Sequence, residues 1–283
     1  MTRTLSLRGR WRRLALGLPT VLGLAPRGWF IPHRYAPLLP PPGTQPPYPA
    51  IEQLFERHAA TFAAMLDAVD AHAGDDPAGG VEGLKSLLGQ SWFPSLDAAV
   101  AYALVRERKP QRIIEVGSGH STRILARAEC GVGEILAIDP MPRADIAGLP
   151  GVRVVPSTLQ AAPPDVFDGL RAGDVLFIDS SHILMPGSDV DILFNRVLPR
   201  LPSGALVHIH DIFLPFDYPP TWGWRNYNEQ QGVLPLLATG AYRPLFSSVW
   251  VTRRMGERLA ASVVARLPQP ADAMATSLWL EKV

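Results

Sequence analysis

The sequence predicts an α/β fold, a mainly parallel sheet covered by helices on both faces and preceded by an N-terminal extension. Three observations carry this expectation. From residue 112 onward, short apolar runs rich in β-branched residues alternate with stretches of helical periodicity. The first run, Ile113, Ile114 and Val116, leads into a glycine turn, Gly117-Ser118-Gly119, and then a helix start. The later runs end on polar side chains, and in an open parallel sheet that edge is where ligands bind.

With 283 residues, 47% of them hydrophobic, the chain can bury a full core. Its one cysteine, Cys130, excludes an internal disulfide and a cysteine-rich zinc site, and is read as a packing residue. The net charge of +1 hides an asymmetry: residues 1–50 hold seven arginines and no acid, so the rest of the chain is net acidic. A basic stripe across the catalytic body is not expected, and no nucleic-acid role is assigned.

Residues 1–50 form a basic, apolar and proline-rich extension. The apolar run at 14–25 is broken by Gly17, Pro19 and Gly23 and is too short to span a bilayer. Arg12-Arg13 resembles an export start, but no small-residue cleavage site follows. Three readings stay open: a docked or flexible extension, peripheral membrane contact through residues 1–30, or a secretory signal. The aromatic stretch at 28–36, with His33 and Tyr35, precedes a proline-rich linker at 37–49.

Residues 51–108 read as a helical cap. Ile51, Leu54, Phe55, Phe62, Met65, Leu66 and Val69 recur at helical spacing, predicting one helix over 51–71 that ends in 75–80. Ser95 is expected to cap a helix over 96–107, stopped by Lys109-Pro110.

Residues 109–283 form the ligand-binding domain. Strands are expected at 112–116, 134–138, 152–155, 174–178, 205–209, 242–246 and 277–282, with helices at 124–129, 189–201, 232–239 and 251–267. Ser121 or Thr122 is placed as the cap after the glycine turn.

The turn admits two cofactor readings. A dinucleotide fingerprint needs a third glycine where Thr122 stands, which weakens a nicotinamide reading. The remaining pattern, Glu115 two places before Gly117-Ser118-Gly119, resembles the first motif of the class I S-adenosylmethionine (SAM) methyltransferases. That resemblance covers about residues 109–283 and implies a Rossmann-like sheet of seven strands, the last inserted antiparallel between strands five and six. It implies SAM as cofactor, with Glu115 near its ammonium group and Gly117, Ser118, Gly119 and Ser121 around its methionine part. Asp139, ending strand two, would bind the ribose, and Ser157, Thr158 and Leu159 would line the adenine pocket. A cytoplasmic location follows from where SAM is made.

Asp179, ending strand four, is followed by Ser180, Ser181 and His182; His208, His210 and Asp211 end strand five. His208 is the deepest and reads as a core residue. Asp179, His182, His210 and Asp211 form the candidate catalytic set, through a histidine base or through Mg²⁺ or another divalent metal held by Asp179 and Asp211. The latter pattern is similar to metal-dependent O-methyltransferases, but Ile212 stands where the catechol type has asparagine.

The long connection 213–231 is read as an aromatic lid over a small-molecule acceptor, with Tyr218, Trp222, Trp224, Asn228 and Glu229 as substrate residues. The competing reading packs its aromatics against the N-terminal segment. O-methylation of a small molecule is the expected function, with a non-catalytic SAM-fold interaction module and a nicotinamide oxidoreductase as alternatives.

Overall fold

The computed structural model describes residues 7–25, 27–28, 34–41, 43–74, 79–129 and 133–283. The readings for Cys130, for His33 and for 75–78 lie outside them. The chain divides into two compact units, Met1–Pro46 with Asp217–Asn226, and Pro47–Phe216 with Tyr227–Val283.

In the first unit, helix α1 (Leu7–Val21) forms where the sequence reading gave no element, carrying Pro19 within it. Thr20 Oγ1 donates to Leu16 O at 2.8 Å in its last turn. The segment 217–226 contributes a short 3₁₀ turn, Pro220–Trp222. Arg13 donates to Gly223 O at 2.8 Å, and the Arg12 guanidinium lies 5.5 Å from the Trp224 ring centre.

The second unit opens with α2 (Pro49–Arg57) and α3 (Ala59–Ala71), two helices where one was expected. His58 separates them: its ring Nδ1 reaches Leu54 O at 2.9 Å, competing for the carbonyl that the helix ladder uses. The apolar stripe still holds, since Ile51, Phe55, Phe62, Leu66 and Val69 are all buried. Helix α4 (Ser95–Arg108) is buried from Ser95 to Val105, its alanines letting neighbours approach closely. Ser95 is its first helical residue and its hydroxyl donates to Pro268 O, so the expected cap is replaced by Pro94.

The sheet follows, with β1 (Arg112–Val116), α5 (His120–Glu129), β2 (Glu134–Ile138), β3 (Val152–Val155), β4 (Val175–Ile178) and α6 (Asp189–Ile192). Next come β5 (Leu206–Ile209), α7 (Gln230–Ala238), β6 (Tyr242–Ser247), α8 (Ser248–Arg254), α9 (Gly256–Ala260) and β7 (Leu278–Lys282). The strand order is β3-β2-β1-β4-β5-β7-β6. β7 pairs antiparallel with both β5 and β6, and Leu278, Trp279 and Leu280 are fully buried.

Two expected long helices are segmented. Over 189–201, α6 gives way to a π turn, Leu193–Val197, and a 3₁₀ turn, Leu198–Arg200; Pro199 has no N–H with which to continue the ladder. Over 251–267, α8 and α9 are followed by a 3₁₀ turn, Val263–Arg266, for which the Ser262 side chain is the cap. Asp174 lies just outside β4. One of its oxygens accepts from Gln111 N and Arg112 N and the other from Arg171 N, tying the starts of β1 and β4 together.

Candidate active site

The glycine turn joins β1 to α5 and fixes two ends of the site at once. At Gly117 (φ 81°) a Cβ would stand 1.9 Å from Asp179 O, so only glycine lets the turn back onto the end of β4. Asp139, at the end of β2, accepts from Ser118 N at 2.6 Å, Ser118 Oγ at 3.1 Å and Met141 N at 2.7 Å. It retains 9% exposure at the sheet edge. Glu115 is enclosed: its two oxygens accept from Ser121 Oγ and Thr122 Oγ1, both at 2.6 Å, and burial raises its pKa to about 8 against those two bonds. Ser121 and Thr122 therefore lie in the first turn of α5 as partners of Glu115. Thr122 Oγ1 also accepts from Gly119 N at 2.9 Å, while the helix itself begins at His120.

Thr158 is exposed and precedes the 3₁₀ turn Leu159–Ala161. Ser157 Oγ and Ser180 Oγ, beyond the carboxyl ends of β3 and β4, are buried without a hydrogen-bond partner. Hydroxyls left open there, with the Asp139 carboxylate and a glycine turn, form a donor and acceptor set that fits a cofactor carrying ribose hydroxyls and an amino-acid tail.

Asp179, His182, His210 and Asp211 converge. His182 Nε2 is 3.3 Å from Asp179 Oδ1 and 3.5 Å from Asp211 Oδ2; His210 Nδ1 is 3.4 Å from Asp179 Oδ1 and 3.6 Å from Asp211 Oδ1. Both His182 (φ 60°) and Asp211 (φ 58°) hold left-handed backbone conformations, rare for residues with a side chain and concentrated at functional sites. His208 stacks on Phe177 with ring centres 3.7 Å apart and meets Ser277 Oγ at 2.8 Å, a core residue as read. Burial, then the charge of His210, lowers its pKa well below the imidazole range.

Each of the other two histidines is held from behind by a buried carboxylate. Glu229 Oε2 is 2.8 Å from His182 Nδ1, and Asp97 Oδ2 is 3.3 Å from His210 Nε2. Asp97 is fully buried on α4 and also accepts from Ser248 Oγ at 2.6 Å, Thr276 N at 2.9 Å and Ser277 N at 3.1 Å. Thr276 Oγ1 donates to Asp211 Oδ1 at 3.0 Å. Asp97, Thr276 and Phe93, whose ring centre lies 5.5 Å from that of His210, were not found from sequence. They come from the helical region and the chain end, and no local spacing links them to residue 210.

Burial alone would make both site histidines neutral. At His182 it is outweighed by hydrogen bonds to Asp179 and Glu229 and by the charge of Asp211, and the pKa is raised well above the imidazole range. His210 is raised likewise, burial losing to the charges of Asp179 and Asp211 and to bonds with Asp179 and Asp97. Asp179 moves the other way: burial would raise it, but His210 and His182 hold it well below the carboxylate range. Both imidazoles thus face the Asp179 carboxylate, which draws each of them toward its protonated form.

The substrate candidates separate. Tyr218, Trp222 and Trp224 belong to the unit that contains α1, whereas Asn228 and Glu229 belong to the sheet unit. Asn228 is committed to the main chain, accepting from Leu184 N at 2.7 Å and donating to Leu184 O at 3.2 Å. Glu229 is fully buried against His182, so it positions that ring and cannot touch an acceptor directly. The Tyr227 ring centre lies 4.5 Å from that of His182, the two planes tilted by 39°.

Among the described residues no group of three or more histidine, cysteine, aspartate or glutamate side chains is arranged to hold a metal ion. A cavity of about 800 Å³ lies elsewhere in the sheet unit, lined by Leu159, Phe167, Ile192 and Arg196 among others. It holds none of the four convergent residues.

Residues 114–212, from β1 to just past β5, match the family model described as a methyltransferase domain. The strand order, with β7 inserted antiparallel between β5 and β6, is the Rossmann-like sheet that the class I methyltransferase resemblance implied. No curated protein matches the chain. Solved structures similar to this chain include the Streptomyces achromogenes O-methyltransferase TomG, in complex with SAM, at 16% identity and TM-score 0.42, covering 74% of this chain and 91% of that one. A Bacillus cereus O-methyltransferase in complex with SAH shares 13% identity at TM-score 0.40, covering 85% and 93%. These are distant likenesses, and the methyltransferase fold is read from the strand order itself.

Proposed function

We propose that this methyltransferase transfers the methyl group of SAM to an oxygen of a small-molecule acceptor, with the His182 and His210 pair handling the acceptor's proton. The observation that carries the proposal is the meeting of Asp179, His182, His210 and Asp211 directly behind the glycine turn. SAM, when bound, supplies the activated methyl group. The chain would hold its ribose at Asp139 and its amino-acid portion along Gly117, Ser118 and Gly119. Ser121 and Glu115 would shape that turn from within. Thr158 would border the adenine.

Proton transfer from the acceptor needs a neutral imidazole. With both rings drawn toward imidazolium by the carboxylates, a ring must first lose a proton, which a nearby sulfonium charge favours. Rate should therefore rise as pH climbs through the raised imidazole pKa. Asp179 and Asp211 would orient the rings, and Tyr227 would offer its face beside His182.

The alternative is a divalent ion such as Mg²⁺ at Asp179 and Asp211, which would have to compete with the two imidazoles now beside those carboxylates. A metabolite extract with methyl-labelled SAM would identify the acceptor. The base reading expects His182→Ala/His210→Ala to lose about 10²–10⁴-fold in rate, and EDTA to do nothing. Full turnover in that double variant overturns the base. Inhibition by EDTA with recovery on Mg²⁺ moves the role to a metal at Asp179 and Asp211. Binding of NAD in place of SAM would favour an oxidoreductase, and SAM binding with no acceptor found in any extract a non-catalytic module.

A further inference from the structure

The first unit carries an apolar face that the methyltransferase chemistry does not use. Along α1 and the turn that follows it, Leu7, Trp11, Leu14, Leu18, Val21 and, just past the helix end, Leu22 recur at helical spacing and fall on one side of the axis. All six are exposed, by 54% to 73%. The opposite side is engaged within the same unit: Arg13 donates to Gly223 O, and Arg12 lies over Trp224, which Arg225 also approaches at 5.1 Å. The helix is thus seated by its polar back with its apolar stripe turned outward. Fifteen residues make it about 22 Å long. No helix among the described residues is long and apolar enough to cross a membrane.

Charge selects the occupant. Residues 1–46 and 217–226 together hold eight arginines and a single acid, Asp217. A second copy of the chain would bring an equal cationic set against the first, whereas an anionic lipid surface neutralises it. Leucine and tryptophan beside arginine is the composition of a helix lying in the headgroup boundary.

We propose that α1 lies in the plane of an anionic membrane surface, with Leu7, Trp11, Leu14 and Leu18 buried among the lipids and the arginines at the headgroups. The full chain should float with vesicles of phosphatidylglycerol and phosphatidylcholine, and not with phosphatidylcholine alone. Added salt should weaken that binding. Leu14→Glu/Leu18→Glu should cut partitioning by roughly tenfold or more while leaving the thermal midpoint unchanged, since both side chains are exposed. Failure to float with phosphatidylglycerol vesicles overturns the proposal, as does equal flotation of the double variant. Self-association of the wild-type chain in the absence of lipid, lost in the double variant, would make the stripe an interface between copies and would equally overturn it.

Discussion

Glu115 shows how a motif residue can act at one remove from the cofactor. Both of its oxygens are taken by the Ser121 and Thr122 hydroxyls, and a pKa of about 8 means that it holds a proton at neutral pH. Glutamine copies that protonated group, so Glu115→Gln should keep the fold and the affinity for SAM. Glu115→Ala removes the acceptor of two buried hydroxyls, Thr122 keeping only its bond from Gly119 N, and should cost about 2–4 kcal/mol in denaturant unfolding. A large loss of SAM affinity in a stable Glu115→Gln variant would show instead that an ionised carboxylate faces the ligand. The His182 imidazole offers a second test that needs no acceptor. Its raised pKa rests partly on Glu229, so an NMR titration should find the ring protonated well past neutrality, and Glu229→Gln should move the midpoint down. Asp179, His182, His210 and Asp211 were legible because strand ends are legible. Glu229 was read as a lid residue because nothing in 213–231 distinguishes a buried glutamate from an exposed one. Asp97 had no local signature at all, its partners lying more than a hundred residues away.

Among the elements, the strands were read closely and the helices less so. Four- to six-residue apolar runs have well-defined polar ends, and β2 and β3 span the same residues as expected. Helices broke where a side chain or ring competes for the ladder, at His58 and at Pro199, and periodicity is blind to such local competition. The α3 and α9 contact makes a testable case. Asp70 accepts from Ser262 Oγ at 2.7 Å, Val263 N at 2.8 Å and Arg258 Nη2 at 2.8 Å, holding the end of α3 to the turn after α9. Burial would raise its pKa, but those bonds and the arginine charge lower it. A depressed folded-state pKa stabilises the protein above the unfolded value, and that stability is lost as pH falls through the folded pKa. Asp70→Ala should therefore lower stability by about 1–2 kcal/mol at neutral pH, and the gap to the wild type should close in acid. A gap that persists unchanged at the lowest pH would assign the effect to packing alone.

On the scale of the whole molecule, the chain assembles one sheet whose carboxyl edge gathers residues from Phe93 to Thr276, while residues 1–46 and 217–226 cluster separately. Deleting residues 1–25 should leave SAM affinity unchanged by calorimetry; its loss in a folded deletion variant would tie that segment to the catalytic unit. The central claim is that SAM sits over the glycine turn with its ribose on Asp139, beside the Asp179 and His182 cluster. Titration calorimetry of the wild type and of Asp139→Asn with SAM and with NAD tests it most directly. The account predicts saturable one-site binding of SAM, none of NAD, and a weakening of SAM by about 1–3 kcal/mol in the variant. Absence of SAM binding, or identical affinity in the wild type and a folded Asp139→Asn variant, would contradict it.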